Sequence, residues 1–189
     1  LGSDVYGGSG SGTGAGGNAV AQSMLIEIIN STANFTGKAS LFNQSRGGIG
    51  QRGGTAQGGS VTFNASNAQI NLTPDSAGNS GLWLNNFVQG GNGVEAGGNA
   101  QGGLTLATIN GTQMGGGAWS AQSTAFGGTA SAATGTGGNV TGGNVQATIT
   151  NSTLNLIGSA SFGSFTGGGT GGTNGAGGSA TSGGGIGGG

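Results

Sequence analysis

The sequence predicts an all-β chain wound as a parallel β-solenoid. Three observations predict it: a repeat of 37 to 44 residues, period-two apolar alternation inside each repeat, and glycine at every repeat boundary. The boundaries read GGNAVAQ from Gly16, GGTAQGG from Gly53, GGNAQGG from Gly97, GGNVTGG from Gly137 and GGSATSGG from Gly177. A period of this size marks stacked units, none of which buries its apolar surface alone. The chain is therefore a single array over 1-189, with repeats at approximately 16-52, 53-96, 97-136 and 137-176 and partial repeats at 1-15 and 177-189.

The first strand of each repeat follows its anchor. Offsets 8, 10 and 12 hold Met24, Ile26 and Ile28, then Val61, Phe63 and Ala65, then Thr105, Ala107 and Ile109, then Val145, Ala147 and Ile149. Apolar residues at every second position, with polar ones between, mark a strand with one buried face. In the third repeat Leu104 and Leu106 flank Thr105, which predicts a bulge or a one-residue slip there.

A corner and a second strand come next. Offset 14 is Asn30, Asn67 and Asn151, and asparagine tolerates the left-handed backbone a corner needs. Stacked in register, these amides are expected to bond along the axis as a ladder. Offset 17 holds Ala33, Ile70, Met114 and Leu154, and offset 19 holds Phe35, Leu72 and Leu156, the inward residues of the second strand.

A third apolar patch completes the unit: Ala39, Leu41 and Phe42, then Leu82, Trp83, Leu84, Phe87 and Val88, then Trp119, Ala121 and Phe126, then Ala160, Phe162 and Phe165. Both tryptophans are expected in the core. The only proline, Pro74, lies in a TPDSAGNS insert that reads as an outward loop. We expect two coils of about 20 residues per repeat, giving roughly nine rungs and a rod of about 45 Å at the usual strand spacing. The glycine tracts also admit extended polyproline-II strands packed on one face.

Composition fits a thin-walled solenoid. Glycine supplies 52 of 189 residues, while seven charges leave a net of −1, too little repulsion for charge-driven disorder. With one proline and no three-residue glycine period, collagen is excluded. Three cations cannot neutralise a phosphate backbone, so no nucleic-acid partner is expected. No run of about 18 apolar residues predicts membrane insertion.

Catalysis finds little material. The carboxylates are Asp4, Glu27, Asp75 and Glu95, scattered among different repeats, and the serines have no histidine to activate them. No cysteine or histidine offers a metal site, and the glycine tracts lack the aspartates of calcium-binding repeats. No cofactor is expected, and the chain reads as no enzyme. Eight N-x-S/T triplets open at Asn30, Asn34, Asn43, Asn64, Asn71, Asn110, Asn139 and Asn151.

GGNAxGG followed by a strand such as SVTFNASNAQINL or NVQATITNSTLNL resembles the glycine-rich arrays of large bacterial surface adhesins, the filamentous-haemagglutinin-like and autotransporter proteins. The resemblance covers nearly the whole chain. It implies a β-helical stalk or filament subunit, extracellular on a bacterial cell surface, whose partners are other copies stacked end to end and a host or neighbouring cell. Neither end of the array offers a charged cap, which also predicts axial self-association. The alternatives are an ice-binding solenoid, which needs threonines in one register, and a carbohydrate-binding adhesin tip using Trp83, Trp119 or Tyr6.

Overall fold

The computed structural model describes residues 1–183. Every regular element among them is a strand, and the strands stack in parallel as a β-solenoid of about 4 turns. The opening partial turn contributes β1 (Gly2–Tyr6) and β2 (Ala19–Val20). The next turn runs through β3 (Met24–Ile29), β4 (Thr32–Thr36), β5 (Lys38–Arg46), β6 (Gly50–Arg52) and β7 (Ala56–Gln57). Above it lie β8 (Ser60–Ser66), β9 (Gln69–Thr73), β10 (Gly81–Gln89), β11 (Gly93–Ala96) and β12 (Ala100–Gln101). Then come β13 (Leu104–Asn110), β14 (Gln113–Gly116), β15 (Ala118–Phe126) and β16 (Val140–Thr141), followed by β17 (Val145–Thr150), β18 (Thr153–Asn155), β19 (Ala160–Gly167) and β20 (Ala180–Thr181).

Four parallel sheets run up the rod. The widest is β1-β5-β10-β15-β19; the others are β2-β7-β12-β16-β20, β3-β8-β13-β17 and β4-β9-β14-β18, with the pair β6-β11 beside them. Strand partners lie one sequence repeat apart, so each repeat makes one turn rather than two. The 20-residue coil is thereby corrected, and five stacked strands at about 4.8 Å give a rod nearer 20 Å than 45 Å. The reason is that the three apolar strands of a unit lie on three different sheets, and the remaining length forms the tip loop, the glycine returns and the short strand of the fourth sheet.

The slip expected at Thr105 does not occur. Thr105 pairs with Val61 and Val145, points inward and is fully buried, while Leu104 and Leu106 turn outward. A hydroxyl is tolerated there because its Oγ1 donates to the Gln122 carbonyl oxygen at 3.0 Å.

The interior tapers, and side-chain size falls with it. At the wide end Phe63, Ile70, Leu72, Leu82, Leu84, Ile109 and Trp119 form the main core. Neighbouring columns of the wide sheet compensate in size: Trp119 lies over Leu82 and under Ala160, while Ala121 lies over Leu84 and under Phe162. The Trp119 and Phe162 rings meet edge to face at 4.8 Å. Further in, a row of polar side chains crosses the gap. Asn43 and Asn86 Nδ2 donate to the carbonyls of Gln22 and Gly59 at 2.6 and 2.7 Å, and Ser123 and Ser164 Oγ donate to those of Gly103 and Gly143 at 3.0 and 2.7 Å. Beyond this row the buried side chains are small: Ser45, Val88 and Ala125 on the wide sheet and Ala19, Ala56, Ala100 and Val140 opposite them.

At the narrow end the two walls touch. Gly8, Gly48, Gly91, Gly128 and Gly169 leave the body for a tip loop, and Gly17, Gly54, Gly98, Gly138 and Gly178 return from it. The two columns alternate in one unbroken hydrogen-bond zigzag: Gly17 N to Gly8 O, Gly48 N to Gly17 O, Gly54 N to Gly48 O, and so on to Gly178 N on Gly169 O, all at 2.7 to 2.9 Å. The glycine tracts therefore meet backbone to backbone as a waist within the coil. A β-carbon on Gly54 would run into the Gly17 carbonyl, and one on Gly91 into that of Gly48.

The corner asparagines Asn30, Asn67 and Asn151 have φ of 49, 49 and 50°. At the equivalent place in the third turn Gly111 has φ of 58°. Short polar side chains and glycine are the residues that adopt this conformation without large strain.

Two substitutions test the waist and the polar row. Gly91→Ala is expected to destabilise by about 3 kcal/mol or more through backbone collision, whereas Gly8→Ala, with open space at its β-carbon, changes little; chemical denaturation measures both. Asn86→Ala removes the Nδ2 donor from the Gly59 carbonyl, which keeps the Leu104 N–H at 3.2 Å, and is expected to cost about 0.5–1.5 kcal/mol on the same measurement.

Candidate functional surfaces

The inward positions singled out by the sequence lie in straight columns. Ile26, Phe63, Ala107 and Ala147 are direct partners on successive strands, as are Ala33, Ile70, Met114 and Leu154. Asn30, Asn67 and Asn151 share the corner, but no hydrogen bond among the described residues joins their amides. The axial amide bonds run elsewhere. Asn18, Asn99 and Asn139 Oδ1 accept from the backbone N–H of Thr55, Asn139 and Ser179 at 2.8 to 2.9 Å, which gives the Asn of the GGN signature its task. Asn71 Nδ2 donates to Asn34 Oδ1 at 2.7 Å on the outer surface.

The four carboxylates stand apart on the rod. Asp4 is on β1, and Glu27 is exposed on β3, where Asn64 Nδ2 donates to it at 3.4 Å. Glu95 on β11 accepts from Gln51 Nε2 at 2.9 Å and faces Arg52 Nε at 3.8 Å. Asp75 folds the outward insert between β9 and β10, its Oδ1 accepting from the N–H groups of Ala77 and Asn79, each at 2.9 Å. Among the described residues no three His, Cys, Asp or Glu side chains converge.

Three outer faces carry aliphatic and polar side chains without a ring. On β3-β8-β13-β17 one column reads Leu25, Thr62, Leu106, Gln146, and the next reads Glu27, Asn64, Thr108, Thr148. Threonine therefore never continues over the whole stack on this face. Among the sequons, Asn43 is fully buried.

The wide sheet is different. Of the ten aromatic residues, Phe35, Phe63, Trp119 and Phe162 belong to the core or pack against it. The other six, Tyr6, Phe42, Trp83, Phe87, Phe126 and Phe165, alternate with the inward residues of β1, β5, β10, β15 and β19 and face outward. Trp83 thus leaves the core position the sequence assigned it, because it sits between the inward Leu82 and Leu84. Lys38 Nζ lies 4.8 Å above its ring, and the Arg46 guanidinium lies 5.2 Å from the ring centre of Phe87. Phe87 and Phe126 are 6.1 Å apart. Gln44 is nearly buried beneath them. With its amide oriented to satisfy its neighbours, its oxygen accepts from the Tyr6 hydroxyl at 3.0 Å and from Arg46 Nε at 2.6 Å.

The waist creates a notch on either side. Beside the wide sheet it has a volume of about 460 Å³, with Tyr6, Arg46, Ile49, Gln89 and Asn92 around a floor of glycine backbone. The opposite notch is lined by Thr55, Gln57, Asn99, Gln101, Asn139 and Thr141, all small hydroxyls or amides apart from two alanines at its base.

The class of protein so defined is a β-solenoid with one chemically distinct face. No family model, no curated protein and no solved structure matches the chain.

Asp75 supplies a pH test of the insert. Hydrogen bonds from the backbone and side-chain amides of Asn79, with a smaller one from Ala77, hold its carboxyl below the usual aspartate value. A depressed value means the ionised form supports the loop above the ordinary range near ~4 and that support is lost as pH falls through the lower, folded value. The amide resonances of Ala77 and Asn79 are expected to titrate below that range, and Asp75→Asn to abolish the titration while the strands stay intact by NMR.

Proposed function

We propose that the chain is a non-enzymatic structural and adhesive element of a bacterial cell surface, a solenoid stalk whose turns continue into further copies stacked end to end. The observation that carries this reading is the parallel, in-register stack with its outermost strands open. Among the described residues nothing pairs the outer edges of β3 and β4 at one end or of β17 and β18 at the other. Such edges hold rows of unmet donors and acceptors that a strand of the same pitch satisfies. The columns of partly buried Ile26, Ala33 and Phe35 at one end and Ile149, Leu154 and Leu156 at the other give the matching apolar surfaces.

The sequence resemblance to filamentous-haemagglutinin-like and autotransporter arrays supports an extracellular setting. The separation of the four carboxylates supports a role without catalysis.

Electron microscopy and sedimentation velocity over rising protein concentration test the proposal. Fibres one chain wide that lengthen with concentration are the expected result; a species that stays monomeric at the highest concentration overturns axial stacking.

A further inference from the structure

We propose that the outer face of the wide sheet, together with the notch beside it, binds an acidic glycan. This inference is independent of axial stacking and rests on the outward side chains alone. All six rings outside the core lie on this face, and so do two of the three cations, Lys38 and Arg46. The third, Arg52, faces Glu95 on the tip loops, and among the described residues neither Lys38 nor Arg46 has a carboxylate within 4.0 Å. Asp4 on β1 is the only acid this sheet displays.

The rings are interspersed rather than fused into one patch. Reading up the rod, the columns are Gly2, Phe42, Asn85, Gln122, Gly163; Asp4, Gln44, Phe87, Thr124, Phe165; and Tyr6, Arg46, Gln89, Phe126, Gly167. A protein partner of ordinary kind asks for a contiguous apolar centre. Alternating rings and amides instead match a pyranose, which has an apolar C–H face to stack on a ring and a rim of hydroxyls to pair with amides. Tyr6, Phe126 and Phe165 keep 61, 40 and 54% of their surface exposed, so their faces are available.

The charged group is already positioned. Arg46 stacks on Phe87 and is bridged to Tyr6 through Gln44, which holds the guanidinium at the mouth of the notch. A planar fork fixed in this way is suited to a carboxylate or sulfate, and fixing it beforehand lowers the ordering cost of binding. The ligand class is therefore a glycan bearing uronate or sulfate groups, with its rings against Tyr6, Phe87 and Phe126 and an anionic group on Arg46.

Titration calorimetry with hyaluronan hexasaccharide, heparin hexasaccharide and neutral chitohexaose tests this on the intact chain. The acidic hexasaccharides are expected to bind at least tenfold more tightly than chitohexaose, a difference of about 1.4 kcal/mol that shrinks as salt is raised. Arg46→Gln removes that preference, Phe126→Ala weakens all three sugars, and Thr62→Ala on the opposite face changes none. All three positions face outward, and circular dichroism verifies that each variant keeps its strands. Equal affinity for acidic and neutral sugars, no binding at millimolar ligand, or a response to Thr62→Ala overturns the proposal. So does a dimer in sedimentation that Phe126→Ala dissolves without any sugar binding, since that assigns the face to a second copy.

Discussion

The structure depends on one contact: glycine backbone against glycine backbone, across the full thickness of the coil. A turn of about 40 residues encloses far more perimeter than 33 Leu, Ile, Val and Phe residues spread over the whole chain can fill. The chain solves this by closing the perimeter on itself. Where the walls meet, the N–H and C=O groups satisfy one another directly in the zigzag from Gly8 to Gly178, so the narrow end of the wedge needs no side chains. The cost falls on the unfolded state, in which each glycine has more conformational freedom to lose than any other residue. That cost is offset by an interior graded in side-chain size, from Trp119 at one end through alanine to bare backbone at the other.

Much of the architecture was legible in the residues. Equal offsets from the anchors identified Ile26, Phe63, Ala107 and Ala147 as one column, because period-two alternation reports directly on which face of a strand is buried. The asparagine corners were legible for the same local reason, since few residues accept a positive φ. What the sequence concealed was the shape of the cross-section. The pairing of Gly48 with Gly17 and of Gly54 with Gly48 is a contact between segments that are alike in composition, and nothing in GG distinguishes a tight turn from a closure.

The candidate face was half visible. Parity within Leu82-Trp83-Leu84 places the ring of Trp83 opposite two inward leucines, and the same parity separates Phe87 from Val88. Residue type alone sends both tryptophans to the core, whereas only Trp119 is buried there, and it is strand parity that turns Trp83 outward. The role of Gln44, nearly buried on the outer side of its strand, depends on the combined cover of Tyr6, Arg46 and Phe87 from three different turns. A linear reading has no means of seeing such a convergence.

Inside, the turns are alike; outside, they diverge. The tip loops show how far this separation goes. Between the waist glycines lie only residues 49–53 in one turn but residues 129–137 two turns later, and the strands on the other side of the closure keep their register throughout. The zigzag therefore acts as a bulkhead. Length and chemistry in those protrusions are free to drift, or to be replaced by a grafted epitope, without the disturbance being transmitted to the hydrophobic wedge behind them.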